Sequence, residues 1–121
     1  DGTIQTGIYG RKAKSMKLAM VVPDKEHQTM VMEAIYGEKG VKAGYTDGYC
    51  KEVLLKAAEH LVKDKGAQAL ILGCTELPLI LEETDNLKLG DGHAAIVDPT
   101  SSLARRVVKV AGEITKIRGV R

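Results

Sequence analysis

The chain has 121 residues, of which 44% are hydrophobic and 28% charged, enough for one hydrophobic core and short for a two-domain enzyme. Eighteen Lys+Arg against sixteen Asp+Glu leave a formal charge of +2, with the two signs interspersed, and aromatic residues are 3%, all tyrosine. A nucleic-acid-binding patch or base-stacking platform is therefore not expected. The apolar runs fall far below the roughly twenty residues of a membrane span, so no membrane association is expected.

In chain order, Thr3 to Lys14 reads as a turn followed by a helix. Leu18-Ala19-Met20-Val21-Val22, closed by Pro23-Asp24, reads as a buried strand. From Lys25 to about Tyr36, Met30, Val31, Ala34 and Ile35 recur at helical spacing, and Gly37 and Gly40 mark the stop. Gly44 to Gly48 is a turn. Lys51 to Lys65 gathers Val53, Leu54, Ala57, Ala58, Leu61 and Val62 on one face and ends at Gly66.

Ala69-Leu70-Ile71-Leu72 is a continuous apolar run, as expected of a parallel strand covered on both faces. Gly73-Cys74-Thr75-Glu76 follows at its carboxyl end. After a short helix and an irregular, mobile-looking stretch from Glu82 to Gly92, Ala94 to Val97 reads as a third strand. Asp98-Pro99-Thr100 closes it, and Ser101 to about Lys116 reads as a helix with Leu103, Val107, Val110, Ala111 and Ile114 turned inward. Alternating strands and helices predict a single α/β domain over 1–121, with a parallel sheet, right-handed crossovers and helices on both faces. No strand precedes the first helix, so the chain is expected to start in the middle of a fold.

In such sheets ligands bind beyond the carboxyl ends of the strands, which singles out Cys74. A thiolate is a good base or nucleophile, and backbone N–H groups or helix dipoles there can lower the thiol's pKa from about 8.5. A buried packing role is the competing reading for any free cysteine. The neighbours favour chemistry: Gly73 permits close backbone approach, Thr75 offers a hydroxyl and an N–H to a carboxylate, and Glu76 can orient a proton-carrying group.

The run Gly73-Cys74-Thr75-Glu76-Leu77-Pro78-Leu79 resembles the second cysteine motif of the aspartate/glutamate racemases. The likeness extends in the right order through Gly2-Thr3-Ile4-Gln5-Thr6-Gly7-Ile8-Tyr9, Val22-Pro23-Asp24, Ile35-Tyr36, Val41-Lys42-Ala43-Gly44 and Val97-Asp98-Pro99-Thr100. The resemblance implies the flavodoxin-like C-terminal half of a two-domain racemase, its first strand and N-terminal half absent. It also implies an isomerase without pyridoxal phosphate, metal or nucleotide, in which one thiolate takes the α-proton of aspartate or glutamate and a thiol on the opposite face returns one.

By motif match Cys74 is the second thiol, Thr75 and Glu76 lie with the substrate, Lys42 faces a substrate carboxylate, and Thr3 and Thr6 lie near the pocket. The family's first cysteine motif, which contains Asn-Thr, has no counterpart here, so the fragment alone is expected to be inactive. Cys50 lacks those neighbours and reads as a structural or surface thiol. The alternative is a non-catalytic module that binds a small carboxylate or serves oligomerisation.

The remaining polar residues take plain readings. His27 and His60 on polar helix faces, and His93 in a loop, show no metal-ligand spacing and are expected to be solvated, with no metal site. Lys63-Asp64-Lys65 and Arg105-Arg106 read as surface charge. Gly37, Gly40 and Gly44 follow a helix rather than a strand and form no phosphate-binding fingerprint. Two cysteines without a leader suggest a reducing cytoplasm. An incomplete sheet would leave an edge or apolar face open, which predicts a homo-oligomer or pairing with the absent half.

Overall fold

The computed structural model describes residues 2–118, with side-chain surroundings as far as residue 113. Its helices are α1 (Gly2–Thr6), α2 (Ile8–Ser15), α3 (Lys25–Tyr36), α4 (Tyr49–Lys63) and α5 (Pro99–Arg118), and its strands β1 (Ala69–Ile71), β2 (Thr84–Leu89) and β3 (Gly92–Val97). Single turns of 3-10 helix lie at Val41–Ala43 and Leu77–Leu79. The chain is α/β, with a small mixed sheet rather than the parallel one expected.

The strand order is β1-β3-β2: β1 runs parallel to β3, with Leu70 opposite Ile96, and β2 runs antiparallel to β3. The Glu82 to Gly92 stretch, expected to be irregular, thus contains a strand. Leu87 pairs with Ala94 and Leu89 with Gly92, and a two-residue turn at Gly90-Asp91 closes the hairpin. Gly90 takes the left-handed backbone (φ 58) that the first position of such a turn requires. His93, expected in a loop, lies in β3.

Leu18 to Val22 forms no strand. The preceding helix ends in a Schellman arrangement, with Lys17 in the left-handed region (φ 59) and Leu18 N–H bonded to Ala13 O at 2.9 Å. Beyond it Leu18, Met20, Val21 and Val22 are exposed, and among the described residues no neighbouring strand takes their backbone groups.

The long helices α3 and α4 pack against each other and build the core with the sheet. Asp24 caps α3, its carboxylate accepting from the backbone N–H of His27 at 2.9 Å. Ala34, Ile35, Val53, Leu54 and Ala58 meet Leu70, Leu72, Ala94 and Ile96, all buried. Ile96 is 1% exposed, and burying such a side chain contributes roughly 1.5–3 kcal/mol.

One face of β1 stays uncovered, since Leu70 is buried while Ala69 and Ile71 are exposed. Among the described residues helices therefore do not cover both faces. The inward stripe expected of α5 is also corrected: Leu103 is 64% and Val107 57% exposed, Ala111 is exposed and Val110 half-buried. Ile114's side chain lies outside the described residues. An amphipathic helix needs an apolar surface to cover its stripe, and the described part of this chain offers α5 none. Among the described residues no helix is long and apolar enough to cross a membrane.

Candidate functional site

The segment after β1 is held from two sides. Leu72 N–H bonds to Val97 O at 3.0 Å, extending the pairing with β3 by one residue, and Leu77 N–H bonds to Cys74 O at 3.1 Å as the 3-10 turn begins. Between them the Thr3 hydroxyl donates to Gly73 O at 2.6 Å and pins α1 against the strand end. A Cβ on Gly73 would come within 3.2 Å of Thr3 Cγ2, so glycine is what lets α1 approach this closely.

Four of the expected site residues converge there. The Cys74 thiol, half-buried, donates to Glu76 Oε2 at 2.9 Å, and the Thr75 hydroxyl donates to the same oxygen at 3.0 Å. Lys42 Nζ lies 3.4 Å from Glu76 Oε1 and 4.6 Å from the centroid of the Tyr36 ring. Glu76 is the hub, with one oxygen taken by the two donors and the other facing the cation.

The electrostatics follow from this geometry. Glu76 is lowered from the ordinary 4.5 to about 2, because the Cys74 thiol, then the Thr75 hydroxyl, donate to its charged form. Lys42 is raised, chiefly by its bond to Glu76. Cys74 is raised as well, first by burial and then by donation to a carboxylate that would repel a thiolate. The depressed thiol pKa expected at a strand end is thus reversed. The neighbouring carboxylate outweighs the Lys42 charge, and Cys74 is held as a proton-bearing thiol.

Thr3 reaches the group through Gly73, as a positioning residue. Thr6 does not. Its hydroxyl turns back to Gly2 O at 2.8 Å and Thr3 O at 3.3 Å within its own helix, the usual fate of a threonine whose turn offers a free carbonyl. Cys50 is fully buried, donating weakly to Asp47 O at 3.3 Å and Tyr45 O at 3.5 Å, and belongs to the core. Tyr36, which supplies a ring beneath Lys42, went unnamed as a site residue in the sequence reading, although its place at the end of α3, six residues before Lys42, was visible.

One further grouping departs from the plain readings, and a second gives the exposed Arg105 a partner. His27 and His60, expected to be solvated, stack with ring centroids 3.8 Å apart and planes within 4°, and His60 is 9% exposed. Arg105 makes a bidentate pair with Glu83 at 2.7 and 3.0 Å, tying the start of α5 to the loop before β2. Asp98 caps the same helix start, accepting from Ser101 Oγ at 2.7 Å and Thr100 N–H at 2.9 Å, and these bonds lower its pKa.

Comparison with known proteins bears on what this geometry serves. The family described as Asp/Glu/hydantoin racemase matches residues 1–107. A protein of Pectobacterium carotovorum subsp. carotovorum described as "Uncharacterized protein in pnlA 3'region" is 31% identical over 109 residues, covering 88% of this chain and 65% of that protein. The chain thus spans a little under two thirds of the length of this relative. No solved structure matches.

Proposed function

Because the chain belongs to the Asp/Glu/hydantoin racemase family, we propose that it is the half of a cofactor-independent racemase that supplies one of two opposed proton-transferring thiols, Cys74, to an acidic amino acid. The observation that carries this reading is the 2.9 Å bond from the Cys74 thiol to Glu76, within a cluster that also holds Thr75 and Lys42. A cation beside a proton donor suits a reaction that builds negative charge at the carbon between two carboxylate-bearing arms.

In this reading the opposed thiol, as thiolate, takes the α-proton, and the electrons of the Cα–H bond stay on the α-carbon. Cys74 then delivers its own proton to the opposite face. One thiolate has become a thiol and one thiol a thiolate, so a turnover in one direction leaves Cys74 poised as the base for the reverse. Substrate carboxylates would replace Glu76 as the acceptors for Thr75 and as the counter-charge for Lys42. Aspartate or glutamate is the proposed substrate, because a dicarboxylate offers one anionic group to each.

The other thiol is proposed to come from an N-terminal half of the flavodoxin-like pair, or from a second copy of the chain. The uncovered face of β1 and the exposed stripe Leu103, Val107 and Val108 on α5 are surfaces such a partner would bury. Two free cysteines suit a reducing compartment such as the cytoplasm.

The test is chiral chromatography of L- and D-aspartate, L- and D-glutamate and a chiral hydantoin, each incubated with protein carrying both halves. Interconversion of an acidic amino acid supports the reading. Turnover of the hydantoin alone transfers the site to another substrate class, and interconversion of none of them refutes it.

A further inference from the structure

A second constellation lies at the other end of the helix pair. α3 runs from Lys25, just after its Asp24 cap, to Tyr36 beside Lys42, and its 12 residues measure roughly 18 Å. His60 lies in the last turn of α4 and meets the first turn of α3. Asp24, His27 and His60 are therefore separated from the Cys74 cluster by about a helix length.

Here one carboxylate faces two imidazoles. Asp24 Oδ1 is 2.7 Å from His27 Nδ1 and Asp24 Oδ2 is 3.4 Å from His60 Nε2, and one ligand atom from each of the three residues lies within 4.8 Å of the others. His60 Nδ1 is 2.8 Å from Asp64 Oδ2. A carboxylate only accepts, so Nδ1 donates to it, and in the neutral ring Nε2 then carries the lone pair. That nitrogen is buried and has no hydrogen-bond partner, although the Asp24 oxygen faces it at 3.4 Å. Two lone pairs facing each other out of water is costly unless something positive lies between them.

We propose that Asp24, His27 and His60 form a divalent metal site of zinc type, with Asp64 as the carboxylate that orients His60. Two imidazoles and one carboxylate are a ligand set zinc accepts, leaving a fourth position open to the groove lined by Met30, Lys56, Glu59 and Lys63. A carboxylate on the far nitrogen of a ligating histidine is the usual outer-shell arrangement, fixing the tautomer and raising the basicity of the ring. In-plane lone pairs of stacked, parallel rings do not meet at one point, so half-buried His27 must turn out of the stack to bind, while buried His60 stays fixed.

The test is calorimetric titration of Zn²⁺ into the chain carrying Cys74→Ser, which removes the accessible thiol, with Co²⁺ absorption as the second readout. One ion per chain is expected, with d–d bands of nitrogen and oxygen ligation and no sulfur-to-cobalt charge transfer. His27→Ala and Asp24→Asn should each weaken binding by at least about tenfold, and Asp64→Asn by roughly 10–100-fold. Asparagine still caps α3, and both Asp24 and His27 lie outside the core, so these variants keep the test valid should a His60 variant misfold. Absence of saturable uptake, or uptake unchanged by His27→Ala and Asp24→Asn, overturns the proposal.

Discussion

Cys74 and Glu76, two residues apart, face each other as donor and acceptor at 2.9 Å, so the thiol keeps its proton while the carboxylate loses its own. For a residue proposed to deliver a proton this is the useful resting state. It also means that burial and then Glu76, rather than a helix dipole, govern the sulfur.

Thiol reactivity checks that relationship. Only the thiolate alkylates, so Cys74 should react slowly with iodoacetamide near neutral pH, its rate rising at a pH above that of an ordinary cysteine. Glu76→Gln removes the charge that opposes the thiolate and should shift the profile to lower pH. Fully buried Cys50 should react only on unfolding. A profile unmoved by Glu76→Gln would mean that burial alone holds the thiol up.

Acid should dismantle the cluster from the Glu76 side. Its pKa is lowered on folding, so the stabilisation it brings is present above 4.5 and is lost as pH falls toward about 2. Carboxyl ¹³C shifts should place its midpoint near 2, with the environment of Lys42 changing over the same range. A midpoint near 4.5 would show that the bonds from Cys74 and Thr75 do not form.

The approach of α1 to Gly73 gives a test in paired variants. Gly73→Ala places a methyl 3.2 Å from Thr3 Cγ2 and should loosen α1 by about 1–3 kcal/mol, read as faster amide exchange in α1 and α2. Thr3→Ser removes that methyl but keeps the hydroxyl for Gly73 O. In the double variant much of the loss should return. Strict additivity would show that the two residues do not meet.

The parts legible in the sequence were those set by local pattern. α3 begins and ends at Lys25 and Tyr36 as its periodicity and the glycine after it require, and the buried face of α4 includes Val53, Leu54, Ala57 and Ala58 as its spacing predicts. β2 escaped notice because Asp85 and Asn86 leave only Leu87-Lys88-Leu89 in alternation, and a register irregularity between Thr84 and Leu87 breaks the period further. Leu18 to Val22 and the α5 stripe failed in the opposite direction: their apolar character was read correctly, but what would cover it is not in the described chain.

The candidate site divides in the same way. Cys74, Thr75 and Glu76 are neighbours in sequence, and Lys42 joins them across the fold at a position the family likeness had marked. The rise in the thiol's pKa was not legible, because it depends on how far the sulfur is buried and on which way the Glu76 carboxylate turns. Nor was the stacking of His27 on His60, which depends on the first turn of α3 packing beside the last turn of α4.

The most direct measurement of the central claim is ²H incorporation at the α-carbon of aspartate and glutamate in deuterated water, catalysed by protein with both halves and by its Cys74→Ser variant. Exchange in the parent and its loss from at least one enantiomer in the variant, with folding retained, is the predicted result. Undiminished exchange from both enantiomers in Cys74→Ser would contradict the role assigned to that sulfur.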